Sequence, residues 1–190
     1  MKRKKTAWEL ARRRVTWKVV AVFTAFAVLV WWARPTALSV AAGGALIAAG
    51  EALRLWAAGH LQKNEQVTTT GPYAHVKNPL YLGSLIIMAG FSLMAWSWWL
   101  LAAGLAVFWA YYVPYKNQRE RDRLRERFGQ EWIEYDQAVP DYLPRFTAYG
   151  RRGTARWRPE LVIENTEHRT AIAVAVGVIL IGVRWWTLAP

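Results

Sequence analysis

Cysteine is absent from the 190 residues, which excludes disulfides, thiolate metal sites and a cysteine nucleophile while leaving the redox compartment open. Histidine is scarce, with three residues, and His60, His75 and His168 do not stand at ligand spacing, so no metal is expected. Internal repeats, low-complexity tracts and strand-like alternation are missing, which speaks against a repeat array, a disordered tail and a β architecture. Acidic residues are few, 13 against 25 Lys and Arg, and the formal net charge is +12. Over long stretches charge of either sign disappears.

Those stretches suit a bilayer. Val19 to Ala33 is 15 residues without a charge, Pro35 to Gly50 another 16, and Pro79 to Tyr115 a run of 37. Apolar residues make up 54% of the chain, with 13 Trp, which is high for a water-soluble core. A crossing helix needs about 20 residues, and tilt relaxes the minimum to about 17, so the longest run holds two spans. The expected architecture is an all-α integral membrane bundle of about five transmembrane helices in a single domain over residues 1–190. A basic surface helix from Thr6 to about Arg14 leads into span one, about Thr16 to Ala33. Span two follows from Thr36 to Gly59, and Pro79 to Met94 and Trp98 to Tyr115 form a tight hairpin around Ala95 to Ser97. Two short helices, Arg119 to Phe128 and Glu131 to Ala138, end at Gly129 and Pro140, and Tyr149 to Arg158 reads as a basic linker. The last span covers about 170–188, with Arg184 held beside Trp185 and Trp186 in an interfacial belt.

Charge placement gives the orientation. Eight basic residues precede or include Lys18, two lie between His60 and Asn78, and twelve run from Lys116 to Arg169. Five spans put all three groups on one side, leaving Arg34 and Arg184 on the other, which is the positive-inside pattern. The N-terminus is therefore expected in the cytoplasm and the C-terminus outside, in an inner membrane of bacterial type. The same pattern accounts for the charge without a nucleic-acid partner. The N-terminal basic run reads as an uncleaved anchor, since no small-x-small site follows it.

Two stretches carry chemistry. In GPYAHVKNPLYLG, Gly71 to Gly83, Asn78 and Pro79 form a helix start whose positive end favours a carboxylate or phosphate. Lys77 adds a charge there, Tyr73 and Tyr81 offer aromatic faces to a sulfonium or ammonium, and Gly83 permits close approach. The plain alternative is an interfacial cap with aromatic anchors. In Gln118 to Pro144, Glu120, Leu124 and Phe128 share one helical face, so a boundary carboxylate could accept hydrogen bonds from hydroxyl or ammonium groups. A surface salt-bridge helix is the alternative there. On span two, Glu51 and Arg54 stand three apart and are expected to neutralise each other, with His60 at the end lining a pocket.

Taken together, GPYxxxxNPxYxG, an apolar hairpin, and an acidic residue eight before FGxxWxxYxxxVPxxLP resemble the isoprenylcysteine carboxyl methyltransferase family, close to the phospholipid N-methyltransferases. The resemblance covers about Glu51 to Pro144, within a core over residues 51–145. It implies a membrane enzyme binding S-adenosyl-L-methionine in a pocket built from the cytoplasmic helical segment, with a lipophilic or lipidated acceptor entering from the bilayer. Its cofactor-contacting positions correspond to Lys63, Gln66, Val67, Thr68, Tyr73, Lys77, Asn78, Pro79, Leu80, Tyr81 and Glu120. Catalytic roles fall to Lys116, beside the substrate carboxylate, and Glu120, and His60 and Arg54 complete the pocket. The chain departs from the family pattern in reading KNP for RHP, Arg121 for the second member of an acidic pair, Lys116 for an arginine and Asp141 for a basic residue.

The implied activity is methyl transfer to a carboxylate, amine or thiol. A non-catalytic scaffold or lipid-binding protein on the same fold is the alternative. A carrier using Glu51 and Arg54 is weaker, because these charges lie near one end and have no repeat-related partners. The acceptor's identity and the oligomeric state are not legible.

Overall fold

A computed structural model describes residues 24, 26–110, 118–150 and 153–188. The surface helix at Thr6 to Arg14, most of span one, Lys116 and the Arg151–Arg152 pair lie outside the described residues. Within them every regular element is helical: α1 (Ala37–Ala58), a 3₁₀ turn (Gly71–Ala74), α2 (Pro79–Met94), α3 (Trp98–Val107), α4 (Gln118–Phe128), α5 (Gln130–Ala138), α6 (Pro159–Glu164) and α7 (Glu167–Leu188). Residues 26–32 are helical as well.

α1 starts where Pro35 ends the preceding segment, and its first amides are met by a reciprocal cap. Ser39 N donates to Thr36 Oγ1 at 3.2 Å, and Thr36 N donates to Ser39 Oγ at 2.8 Å. It then runs antiparallel to α2 with almost no side chain between the backbones. A Cβ on Gly43 would stand 2.6 Å from the Gly90 carbonyl oxygen, and one on Gly50 2.8 Å from that of Gly83. Glycines seven apart on both helices therefore form the seam. Lipid tails are as apolar as leucine, so helices in a bilayer gain their contact from such close approach rather than from expelling water.

Around the seam's outer end, Leu29, Ala33, Ile47, Met94, Ala95 and Ile181 are buried together, with Phe26 edge-on to Phe91 at 5.8 Å. Arg184 donates to the Trp31 carbonyl there at 3.1 Å, and Trp31, Trp32, Trp96, Trp98, Trp99 and Trp186 are exposed. At the other end α4 and α5 form a cap around a separate core of Val67, Trp132, Tyr135 and Val139.

α1 and α7, with 22 residues each, are long and apolar enough to cross a membrane. The expectation of about five crossings is corrected to these two among the described residues. α2 starts at Pro79, inside the end of α1, because Gly71 to Asn78 is taken up by the 3₁₀ turn and its exit. With 16 residues it is shorter than a full crossing, while the helix begun by α3 continues to Ala110, where the described residues break off, so Tyr111 to Tyr115 of the expected fourth span lie outside them. The basic stretch before α6 closes over the end of α1. Trp157 Nε1 donates to Leu55 O at 3.1 Å, Arg158 N to Gly59 O at 2.9 Å, and Asn165 Nδ2 to Ala58 O and Leu61 O at 3.1 and 2.9 Å. Carbonyls at a helix end lack the donors of a continuing helix, and the strap and Asn165 add to the bonds that Gly59 N and Leu61 N make there.

Candidate functional site

Where the bundle meets the cap, a cavity of about 300 Å³ opens. That is at the lower end of the range for small-molecule sites. One wall is the loop after α1, with Lys63, Gln66, Val67 and Thr68. The floor is Tyr73 and the stretch Lys77 to Tyr81, at the start of α2. The facing wall comes from α4, with Glu120, Leu124 and Phe128 on one face, and from Trp132 and Tyr135 of α5. Arg54 of α1 and Glu167 of α7 close the bundle side. Residues far apart in the chain, chosen from its motifs, thus surround one space.

Tyr73 is held by the tight turn that precedes α2. Gly71 takes φ +58° there, and a Cβ on it would meet the His60 ring at 2.3 Å. Tyr135 Oη donates to Tyr73 O at 2.8 Å, tying cap to turn. Burial pushes the Tyr73 phenol well above its ordinary pKa, so it is a neutral aromatic face. His60 does not line the cavity. It is buried behind Gly71 with Nδ1 3.0 Å from Thr70 Oγ1, and burial lowers its pKa, favouring the neutral ring.

Asn78 does not cap α2 as expected. Its Nδ2 donates to Asp141 O at 3.2 Å, and no side-chain bond caps the helix. Nor is Lys77 a solitary charge at the helix end. Its Nζ lies 2.7 Å from Asp136 Oδ1 and 3.0 Å from Asp141 Oδ1, and it donates to Asp136 O at 2.9 Å. Arg121 bridges the same two carboxylates, at 2.6 Å to Asp136 and 3.0 Å to Asp141. Burial pushes the Asp136 carboxyl up, yet the hydrogen bonds and charges of Lys77 and Arg121 outweigh it, leaving its pKa below the usual value. Glu120, by contrast, makes one ion pair among the described residues, with Arg123 at 4.0 Å, and its side chain is one-third exposed beside the cavity.

Arg54 does not pair with Glu51. Its guanidinium donates to Glu167 Oε2 from Nε at 3.1 Å and from Nη2 at 2.6 Å, and to Leu80 O at 2.9 Å and Ser84 Oγ. Its stem crosses Gly83, where a Cβ would come within 2.5 Å of Arg54 Cγ, so the close approach expected at this glycine is made by the arginine. Both Glu51 carboxylate oxygens are enclosed with no hydrogen-bond partner among the described residues. Glu167 reaches Arg54 because Asn165 holds the α6–α7 turn against α1 while Thr166 takes φ +61°. Motif reading passed over Asp136 and Glu167, and its one signal for Asp141 was a departure from the family pattern.

Among the described residues no group of three or more His, Asp or Glu side chains is arranged to hold a metal ion. A family model described as phospholipid methyltransferase matches residues 38–131, which hold α1, the cavity floor, Glu120 and Arg121. The chain is also similar to the cobalt-zinc-cadmium resistance protein CzcN of Cupriavidus metallidurans, at 31% identity over 78% of this chain and 70% of that protein. It is similar to the nickel-cobalt-cadmium resistance protein NccN of Alcaligenes xylosoxydans xylosoxydans, at 30% identity over 76% of this chain and 71% of that protein. No solved structure matches.

Proposed function

The chain belongs to the phospholipid methyltransferase family, and from that premise we propose that it is a membrane-embedded methyltransferase using S-adenosyl-L-methionine. The observation that carries this reading is the meeting of Gln66 to Thr68, Tyr73, Asn78 to Tyr81 and Glu120 around one cavity. The residues suit such a cofactor. The uncapped start of α2 favours its carboxylate, aromatic faces at Tyr73 and Tyr81 attract a sulfonium, and Glu120 accepts hydrogen bonds from hydroxyl or ammonium groups. When bound, the cofactor supplies an electrophilic methyl group. The protein's part is to align, to hold and to exclude water, which can lower a barrier by about 7 to 11 kcal/mol without a protein nucleophile.

Lys77 lends the cofactor end no unbalanced charge, because Asp136 and Asp141 answer it. Its role is to brace the cavity floor against α5. The acceptor is a lipophilic or membrane-associated carboxylate, amine or thiol, reaching the cavity from the bilayer. Calorimetric titration of detergent-solubilised protein with S-adenosyl-L-methionine tests the reading. Saturable heat is expected, with Glu120→Gln weakening affinity about tenfold, the loss of one charge-assisted hydrogen bond. Tyr81→Ala weakens it further. Equal binding by wild type and both variants would sink the proposal. Absence of saturable heat would favour a lipid-binding scaffold instead. Labelled methyl donor incubated with a membrane-lipid extract then identifies the acceptor.

A further inference from the structure

Beside the cavity, the loop between α5 and the strap exposes two large apolar side chains that the proposed function does not use. Leu143 is 82% exposed and Phe146 fully so, although the loop is anchored along its length. Lys77 N donates to Pro140 O at 2.9 Å, Arg145 N to His75 O at 3.0 Å and Tyr149 N to Ala74 O at 2.8 Å. His75 Nδ1 meets Arg145 O at 2.9 Å, and the Arg145 guanidinium donates to Ala138 O at 2.7 Å. A slack loop would shed apolar exposure by folding back. This one is held in place with both side chains uncovered.

The level of the loop along the bundle is set by Tyr142. Its ring lies 5.6 Å from Phe108 and 5.9 Å from Trp109, edge-on to both. Trp109 is eleven residues beyond Trp98, about 17 Å along the helix at 1.5 Å per residue. Leu80 is fourteen residues from Met94, about 21 Å by the same rise, so the two mark similar depths from the α2–α3 turn. Arg54, bonded to Leu80 O, lies four residues short of the end of α1, about 6 Å. Tyr142 therefore draws the loop to the level of α1's last turns. Trp157 is exposed at that level and bonded to Leu55 O, and Arg156 and Arg158 beside it are exposed too. Aromatic rings with basic neighbours suit the boundary of an anionic leaflet.

We propose that the loop around Leu143 and Phe146 is a membrane foot, its two side chains seated between the headgroups and acyl chains of an anionic phospholipid leaflet. The proposal rests on the membrane-embedded reading of the chain. It also gives the cavity wall a lipid contact, since Asp141 at the root of the foot holds Lys77 and Arg121.

The absence of native cysteine makes the test direct. Leu143→Cys and Phe146→Cys proteins, labelled with an environment-sensitive fluorophore, are placed in phosphatidylcholine–phosphatidylglycerol vesicles. Ile179→Cys, exposed on the middle of α7, reports on embedding itself, and Glu131→Cys, exposed on α5, reports on the aqueous cap. The foot labels are expected to brighten and shift blue, and to be quenched by lipids brominated near the top of the acyl chains. The Glu131 label stays unquenched. Foot labels left in water while the Ile179 label is quenched overturn the foot alone. All labels left in water overturn the embedded reading and the foot with it. Blue-shifted foot labels that no brominated lipid quenches, and that revert on dilution with unlabelled protein, assign the surface to a second copy and overturn the proposal. The foot side chains are exposed, so unchanged melting temperatures are expected in both variants.

Discussion

Between α1 and α2 the two backbones touch through glycine, whereas between the start of α2 and α5 the contact is made of four charges. In the first region Gly43, Gly50, Gly83 and Gly90 bring carbonyl oxygens within 3 Å of where a Cβ would stand. In the second, Lys77 and Arg121 each bridge Asp136 and Asp141. The difference follows from the solvent each region meets. Helices in hydrocarbon gain little by hiding apolar surface and must gain by packing. A cap that faces water can bury Trp132 and Tyr135, then use charges to set its position over the cavity. The bundle thus tolerates no added atom at its seam, while the cap tolerates changes of size better than changes of sign.

Breaking the seam should have the largest effect. Gly50→Leu drives a side chain into Gly83 O and Ile87 and should destabilise the fold by about 3 kcal/mol or more, read as a lowered melting temperature in detergent. Gly44, on the same helix with nothing within 4 Å of its added Cβ, is the control. Gly44→Ala should change stability by no more than about 0.5 kcal/mol. Similar losses at the two positions would mean that close approach at Gly50 does not decide, since helix propensity favours both replacements over glycine.

Changing the sign balance of the cap comes next. Lys77→Met keeps most of the volume but leaves Asp136 and Asp141 to Arg121 alone. The expected cost is about 2 kcal/mol, below the value for a fully buried pair because the two aspartate side chains are 21% and 27% exposed. Adding Asp136→Asn should recover part of it. A double variant no better than Lys77→Met would show that the amine acts through packing instead of charge.

Acid probes the same cluster without mutation. The Asp136 pKa is depressed in the folded protein, so its contribution is complete above the unfolded value near 4 and is lost as pH falls through the folded value. Melting temperature should therefore hold from neutral pH to about 5 and fall below about 4, and Asp136→Asn should flatten that fall. An unaltered acid limb in the variant would assign it to other carboxylates.

How much of this was legible depends on the range of the interaction concerned. Pro79 to Met94 is found by the structure at the residues the Asn-Pro start and the Ala95–Ser97 turn suggested, because start and stop signals are local. Arg54 was matched to Glu51, three residues away, but pairs with Glu167, 113 residues on, which no spacing rule reaches. The cap is the instructive case. Lys77, Arg121 and Asp141 each depart singly from the family pattern, and the structure brings all three into one cluster with Asp136. Arg121 and Asp141, each read singly as a departure, stand 3.0 Å apart, so in this fold their charges answer one another. Among the described residues α1 and α7 alone are long and apolar enough to cross, because α2, fixed between the Asn78–Pro79 start and the Ala95–Ser97 turn, has 16 residues where a crossing needs about 20.

The turn before α7 ties that helix to the end of α1, and there the smallest effect is expected. Thr166 holds φ +61°, a region costly for a β-branched residue, and Asn165 and Arg54 keep the turn in place from either side. Thr166→Gly removes the steric cost but loosens the unfolded chain, so the net gain should be no more than about 1 kcal/mol. A rise in melting temperature with unchanged S-adenosyl-L-methionine affinity would show that the turn only delivers Glu167. A rise accompanied by weaker binding would show that the strain holds the Arg54–Glu167 pair, and with it Leu80, against the cavity.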